Sequence, residues 1–244
     1  MAVLALDTSA AVAVALVDDD GARLAARSAD ERRRHAESLA PLIDAALADA
    51  GLDRTDLTAV AVGTGPAPFT GLRVGLVTAR TLALALGIDV LGVPSVDALA
   101  VQAVADLGLT PGDEVLVATD ARRKEVYWAH YRVVAHEGPH AVPVVETLAG
   151  PGVDKAADVA ARLADAPADG GRLVVVGEGA ALYPEHLPAD DDGPLVPDAA
   201  VLARVALARR AAGEELPTEP LYLRRPDVQE PAPARLVPAT GSPA

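Results

Sequence analysis

The sequence contains no cysteine and almost no aromatic residues. Without cysteine the chain has no disulfide, no thiolate metal site and no thiol nucleophile. Aromatic residues make up 2% of its 244 residues, whereas hydrophobic residues make up 51%. We therefore expect a folded protein whose core consists of alanine, valine and leucine and depends on close packing of small side chains.

Lysine and positive charge are also scarce. The formal net charge is −14 at pH 7, and Lys124 and Lys155 are the only lysines. This balance argues against a broad surface for nucleic acid or anionic membranes. The chain has no apolar run of about 18 residues, and Asp7 interrupts an apolar N-terminus that lacks a basic start. We expect a soluble, cytoplasmic protein without membrane contact.

The first part of the chain alternates strand and helix patterns. The runs "AVLALD" and "AVAVALVDD" predict strands, and Asp20-Gly21 predicts a hairpin to a third strand. A helical pattern follows from about Ser38 to Gly51, with Pro41 near its start. Strand, helix, strand and helix patterns then continue to "LTPGD", which marks a boundary near residue 110.

The second part repeats this organisation. It opens with "EVLVATDARRKEVYWAHYRVV" and "AVPVVET", and it continues with a helix around residues 154–165, the strand "RLVVVGEG" and the helix "DAAVLARVALARRAAG". Each part begins with a strand that ends in aspartate. We predict an α/β fold with mixed sheets in two halves, residues 1–108 and 109–225, and a flexible proline-rich tail at residues 226–244.

The segment "HEGPH" at residues 136–140 matches the H-E-x-x-H pattern of zinc metallopeptidases. Two histidines four apart share one metal only on a helix, where both rings leave the same face. The spacer here is Gly138-Pro139, which disfavours a helix, and the flanking patterns are strands. The sequence therefore favours a turn between strands over a metal site.

The segment "GTGPAPFTGLRVG" at residues 63–75 has the composition of a phosphate loop. It lacks the lysine of a Walker motif, and the dinucleotide pattern fails at Pro68. What it does indicate is a helix with a bare ridge, because Gly71, Gly75, Ala79 and Ala83 recur at every fourth position. Such a ridge allows close approach of another helix, either in the same half or in a partner chain.

Three further positions are candidates for chemistry. A metal site at His35 would need a second ligand four residues later, where Leu39 stands, so a capping or packing role is favoured. Asp7 precedes a hairpin that has no glycine to hold phosphate. Asp120 precedes Arg122, Arg123 and Lys124, which could neutralise it or face a partner, and a solvated turn is favoured.

Five segments together resemble the TsaB (YeaZ) family, the bacterial partner subunit of the tRNA threonylcarbamoyladenosine transferase complex. They are "LALDTS", "HAESLAPLID", "GPAPFTGLRVGLVTARTLA", "DARRKEVYW" and "PLYLR", in the expected order up to about residue 225. The positions that carry the resemblance are Asp7, Thr8, Ser9, His35, Gly65, Pro66, Phe69, Thr70, Arg73, Asp120 and Glu125.

The resemblance implies two actin-like (ribonuclease-H-like) halves and a subunit without catalysis of its own. It implies binding to the catalytic subunit TsaD through helices of the first half, with the ATPase TsaE as a third member. ATP and metal are then expected on the partners, and tRNA contacts only through the complex. A homodimer of the isolated chain stays open. The expected contact residues are Leu39, Leu42, Ala46, Gly71, Gly75, Leu76 and Ala79.

Two alternatives from other classes remain. One is an autonomous ATP-dependent phosphotransferase on the actin-like fold, which the missing glycine after Asp7 disfavours. The other is a metallopeptidase, which Gly138-Pro139 and Leu39 disfavour.

Overall fold

Nine strands and six helices occur within residues 1–29, 35–163 and 170–224, the parts of the chain that the computed structural model describes. The tail predicted at residues 226–244 lies outside them. In chain order the elements are β1 (Ala2–Asp7), β2 (Val12–Asp18), β3 (Arg23–Ala29), α1 (His35–Ala50), β4 (Leu57–Gly63), α2 (Phe69–Leu86), β5 (Asp89–Val93), α3 (Ser95–Asp106), β6 (Glu114–Asp120), β7 (Glu125–Ala135), β8 (Val144–Lys155), α4 (Ala156–Arg162), β9 (Leu173–Val176), α5 (Glu178–Leu182) and α6 (Ala199–Ala211).

The first sheet has the strand order β3-β2-β1-β4-β5. Strands β1 to β3 are antiparallel neighbours, whereas β4 and β5 run parallel to β1. The second sheet repeats this plan with the order β8-β7-β6-β9, in which only β9 is parallel to its neighbour. The mixed sheets and the two similar halves predicted from the sequence are confirmed.

Helices and sheets stack in five layers. Helices α1 and α2 cover one face of the first sheet, and α3 and α6 cover the other. The second sheet packs on α3 and carries α4 and α5 on its outer face. Side chains of β1 alternate accordingly: Leu4 and Leu6 face α1 and α2, whereas Val3 and Ala5 face α6. Small residues on this inner face let α6 lie close to the strands.

Three elements differ from the sequence-based expectation. Helix α1 already includes His35, so Pro41 lies inside the helix, where its ring is exposed to solvent. Strand β8 continues to Lys155, which leaves α4 shorter than expected, and the short helix α5 was not predicted. Helix α6 was assigned to residues 109–225, yet it packs on the first sheet, because its apolar face fits the inner side of β1, β2 and β4.

The described part of the chain ends in an extended segment that crosses both halves, which we call the strap. This strap, residues 214–224, first runs beside β5, where the backbone N–H of Gly92 donates to the carbonyl of Leu216 at 3.0 Å. Its Leu221 N–H then donates to the carbonyl of Thr64 at 2.9 Å. Arg224 at its end donates to the carbonyl of Ala121 at 2.9 Å. The strap therefore joins the loop after β4 to the turn after β6.

Candidate functional site

Asp7 ends β1 at the centre of the first sheet and is buried. Its Oδ1 accepts hydrogen bonds from the backbone and hydroxyl of Ser9 at 2.8 and 2.6 Å. Its Oδ2 accepts one from the hydroxyl of Ser95 at 2.6 Å. Burial raises the pKa of Asp7, and the hydrogen bonds from Ser9 and Ser95 act against that rise. Both carboxylate oxygens are thus engaged by the chain itself.

The loop after β4 packs directly against this carboxylate. A Cβ at Gly63 would lie 2.0 Å from Oδ2 of Asp7, so a side chain has no room there. The backbone N–H of Gly65 donates to the hydroxyl of Ser95 at 3.2 Å, and the peptide bond from Gly65 to the buried Pro66 is cis. The glycines therefore allow close packing inside the protein. The loop packs against the aspartate and does not form an open phosphate-binding loop.

Thr8 connects the same point to α2. Its hydroxyl donates to the carbonyl of Gly71 at 2.9 Å and accepts from the backbone N–H of Gly75 at 3.2 Å. A Cβ at Gly75 would lie 2.5 Å from that hydroxyl oxygen. The bare ridge of α2 therefore faces the turn between β1 and β2.

The residues expected at a partner interface belong mainly to the core, and this corrects the prediction. Leu42 and Gly71 are half-buried. The remaining five are buried: Leu39, Ala46, Gly75, Leu76 and Ala79. The alternative left open by the sequence, packing of the ridge within its own half, describes these residues, because they cover the leucines and valines of β1 and β4.

The opposite side of α2 carries exposed apolar side chains. Val77 is 61% exposed and Leu84 is 85% exposed. Seven positions separate these two residues, which places them on one side of the helix, away from the Gly75 ridge. We call Val77 and Leu84 the outer helix face. This spacing could have been read from the sequence, but the glycine ridge is the more conspicuous pattern.

Helix α2 is also long and apolar enough to cross a membrane by length and composition alone. The 18 residues of this helix have a mean hydropathy of 1.3, and 28% of them are buried. Five of its residues, however, including Leu72 and Ala83, lie in the core against the first sheet. The helix is therefore accounted for as a core element with one exposed apolar side.

Asp120, at the end of β6, lies in a tight turn and is only 8% exposed. It accepts a hydrogen bond from the backbone of Arg122 at 2.7 Å and pairs with the guanidinium of that residue at 2.9 Å. The turn at Arg122, Arg123 and Lys124 is exposed, as the sequence predicted, whereas Asp120 itself is buried because Arg122 neutralises it. The next residues are unusual: Arg122, Arg123 and Lys124 all have left-handed backbones, with φ of 63°, 56° and 63°.

Three of the family segments meet around Phe69. The guanidinium of Arg73 lies 3.6 Å from the centre of the Phe69 ring and donates to the hydroxyl of Tyr222 at 2.9 Å. The Phe69 and Tyr222 rings are 4.9 Å apart. Glu125 forms an ion pair with Arg224 of the strap. Three segments that are far apart in sequence thus contact one another between the two halves.

Two other positions of the family resemblance, Thr70 and His35, lie at the starts of helices. Thr70 is exposed in the first turn of α2. His35 is the first residue of α1, and its side chain lies outside the described part. One part-buried network was not predicted: Asp97 of α3 accepts hydrogen bonds from the Tyr131 hydroxyl and from Arg209 of α6, both at 2.7 Å. It ties α3 to the second sheet and to α6.

The "HEGPH" segment connects β7 to β8, as predicted. Pro139–Ala141 forms a short 3-10 turn in which His140 has a left-handed backbone, with φ of 56°. The Nδ1 atom of His136 lies 3.0 Å from the carbonyl oxygen of Leu109. Within residues 1–29, 35–163 and 170–224, no group of three or more histidine, aspartate or glutamate side chains is placed to hold a metal ion.

The two sheets, each with an antiparallel hairpin and a parallel strand beside its first strand, define an α/β protein of the actin-like class. The family model described as "TsaD: tRNA N6-adenosine threonylcarbamoyltransferase" matches residues 29–217. An uncharacterized protein of Mycobacterium tuberculosis strain H37Rv is 43% identical over 231 residues, covering 93% of each chain.

Two named relatives make the assignment more specific. The tRNA threonylcarbamoyladenosine biosynthesis protein TsaB of Escherichia coli K12 is 37% identical over 133 residues, which are 54% of this chain and 55% of that protein. The structure of YeaZ from Pseudomonas aeruginosa superposes with a TM-score of 0.74 at 31% identity, covering 91% of this chain and 99% of YeaZ. The chain belongs to the TsaB (YeaZ) family.

Proposed function

We propose that this protein is a non-catalytic subunit in the biosynthesis of threonylcarbamoyladenosine in tRNA. In this role it binds the catalytic subunit TsaD, and the ATPase TsaE joins them. The complex then modifies N6 of the adenosine 3′ of the anticodon in tRNAs that read codons beginning with A. Family membership supports the pathway, since the E. coli relative carries the name of a biosynthesis protein for this nucleoside.

The outer helix face carries the interaction part of the proposal. Val77 and Leu84 are large apolar side chains exposed on a helix whose opposite side packs on the first sheet. Burying them against another apolar surface is favourable by about 25 cal/mol per Å² of apolar area. The partner-binding surface is therefore assigned to this outward side of α2, next to α1, and no longer to the buried ridge. In the isolated chain the same side is available for self-pairing.

The two aspartates that open the halves support the absence of catalysis. Asp7 is engaged by Ser9 and Ser95, and Asp120 is engaged by Arg122. An aspartate committed to such contacts is a poor ligand for the magnesium ion of a bound nucleotide, because those hydrogen bonds and ion pairs must break first. In the proposal, ATP and metal bind to the partner subunits. The net charge of −14 likewise leaves most tRNA contacts to the complex.

The test is reconstitution with TsaD, TsaE, threonylcarbamoyl-adenylate synthase and tRNA from the same organism. We expect the modified nucleoside to form only when this protein is present. The double variant Val77→Glu/Leu84→Glu should abolish co-purification with TsaD and lower modification at least about tenfold, because two buried charges oppose association. Modified nucleoside is measured by mass spectrometry after digestion of the tRNA.

The matched control is Val134→Glu, which changes a valine that is 50% exposed on β7. Both proteins should melt within a few degrees of the wild type, since exposed substitutions change stability by about 0.5 kcal/mol or less. Normal TsaD binding by the double variant would refute the interface. Modification that proceeds without the protein, or ATP turnover by the protein alone, would refute the subunit role.

A further inference from the structure

A cavity of about 250 Å³ lies where the loop before α2, the turn after β6 and the strap meet. Its lining includes three arginines and three aromatic residues and contains no aspartate or glutamate. They are Arg122, Arg123, Arg224, Phe69, Tyr127 and Tyr222. We call it the cationic cavity. It is distinct from the Asp7 network, because neither Asp7 nor its partners Ser9 and Ser95 line it.

The composition of this lining contrasts with the rest of the chain. The whole sequence has one Trp, one Phe and four Tyr, and it carries a net charge of −14. Three of these six aromatic residues line a single small cavity together with three guanidinium groups. In a core built from alanine, valine and leucine, such a concentration indicates a function other than packing.

The backbone of the turn leads to the same conclusion. A left-handed backbone costs roughly 1–2 kcal/mol for a residue with a side chain, and glycine or asparagine avoids that cost. Arg122, Arg123 and Lys124 adopt it consecutively. A turn that served folding alone would favour glycine or asparagine, so the three basic side chains stand here against local preference and indicate a role of their own.

The aromatic side of the cavity is held in place by Arg73. Its guanidinium covers Phe69 and donates to the hydroxyl of Tyr222, which fixes the tilt of that ring. Tyr222 is 39% exposed and thus presents a ring at the rim. A ring held in this way can stack on a planar group without losing further freedom.

We propose that the cationic cavity binds a nucleoside monophosphate without a divalent cation. The phosphate lies against Arg122 and Arg224, whose guanidinium groups have five donors each and use only some of them for Asp120, Glu125 and the carbonyl of Ala121. The base stacks on Tyr222. Arg73 is a positioning residue for that ring.

Size and charge restrict the ligand to this class. A cavity of about 250 Å³ is smaller than typical ligand pockets of about 300–1,000 Å³, so it encloses the phosphate and leaves the base at the rim. With no carboxylate in the lining, no side chain there would hold magnesium. The net charge of −14 repels a polyanion more strongly than a single phosphate, which favours a free nucleotide over an RNA strand.

The experiment is titration calorimetry of the full chain with AMP in the presence of EDTA. AMP is the probe because stacking tolerates any base. We expect a dissociation constant below about 1 mM. Arg122→Gln and Tyr222→Ala should each weaken binding about tenfold. Tyr222→Phe keeps the ring but loses the hydrogen bond from Arg73, so it should weaken binding less than Tyr222→Ala does. Arg162→Gln, which removes an exposed arginine of α4 away from the cavity, is the charge-matched control.

Several results would overturn the assignment. They are no heat of binding at millimolar AMP, equal affinity in all variants, or binding that requires magnesium. A short single-stranded RNA that binds when AMP does not would move the site to an RNA contact and refute the free nucleotide. Melting curves identify any variant that fails to fold. In that case the exposed Arg73→Gln, which releases the Tyr222 ring, still decides: weaker binding than in Arg162→Gln supports the site, and equal binding overturns it. Modification of tRNA is not measured, so failure here leaves the subunit role untouched.

Discussion

At the scale of single residues, glycine and threonine determine how closely α2 approaches β1. The hydroxyl of Thr8 lies between the carbonyl of Gly71 and the backbone N–H of Gly75. Helical glycine costs roughly 0.5–1 kcal/mol relative to alanine. That cost is offset here by a buried hydrogen-bonded contact that no larger residue permits.

Gly75→Ala should destabilise the protein by roughly 1–3 kcal/mol, although alanine is the better helix former. The reason is the 2.5 Å distance between the added Cβ and the Thr8 hydroxyl. In a Thr8→Ala background the oxygen is gone, so the same change should cost less. Urea denaturation of both single variants and the double variant gives the coupling, which we expect to be at least about 0.5 kcal/mol.

Thr81→Ala, an exposed change on the same helix, is the control and should be neutral. Strictly additive effects of Gly75→Ala and Thr8→Ala would mean that α2 shifts to accommodate the methyl group, and the close approach would then have no energetic role.

At the scale of elements, α2 has a different partner on each side. Its ridge faces β1, its opposite side exposes the outer helix face, and Arg73 and Arg80 reach from it to the strap. Arg80 donates to the hydroxyl and carbonyl of Thr218 at 3.0 and 2.6 Å. Helix α2, which carries the proposed partner-binding surface, is therefore linked through the strap to the rim of the cationic cavity.

Gly92→Ala should detach the strap from β5. A Cβ there would lie 1.9 Å from the carbonyl oxygen of Pro217, so the strap must move and its hydrogen bond with Leu216 is lost. We expect faster hydrogen exchange at residues 216–224 with little change in β1 and β4. Arg80→Ala should raise exchange in the same segment, and Arg162→Ala should not. Unchanged protection in Gly92→Ala would show that the strap is held elsewhere.

At the scale of the whole molecule, the two halves of the sequence share a hydrophobic core. Helix α6 comes from the second half of the chain and buries Val3, Ala5, Ala59 and Ala61 of the first sheet. Arg209 of α6 also binds Asp97 of α3, which in turn binds Tyr131 of the second sheet. Burial raises the pKa of Tyr131 well above its usual value, and Asp97 adds to the rise.

A fragment of residues 1–108 should not fold alone. It lacks α6, so one apolar face of its sheet is exposed to water. We expect no cooperative thermal transition by circular dichroism, and association in the ultracentrifuge. Co-expression with residues 109–224 should restore both a transition and a defined complex. A monomeric fragment with a sharp transition would instead support the division at residue 108 as a domain boundary.

Local patterns in the sequence account for most elements but not for their partners. The alternation in "AVLALD" and the period of "FTGLRVGLVTARTLALAL" predict β1 and α2 because each pattern depends on neighbours along the chain. The same patterns do not show which side of α2 packs on the first sheet, because both the glycine ridge and the outer helix face are suited to contact another surface. Only the position of Thr8 in three dimensions decides between them.

The strap and the cationic cavity could not be predicted because they depend on distant contacts. Residues 214–224 have no helical or strand period, and their hydrogen bonds go to Thr64, Arg73, Arg80, Gly92 and Ala121. The family resemblance singled out the segments around Phe69, Asp120 and Tyr222. Their meeting at one point required the fold.

The late position of α6 in the chain affects how the protein is made. During synthesis the strands of the first sheet leave the ribosome long before Ala199–Ala211, the helix that covers their inner face. Until that helix emerges, an alanine- and valine-rich sheet surface stays uncovered and open to chaperones or to nascent chains nearby. The first sheet can complete its folding only after residues 199–211 have left the ribosome.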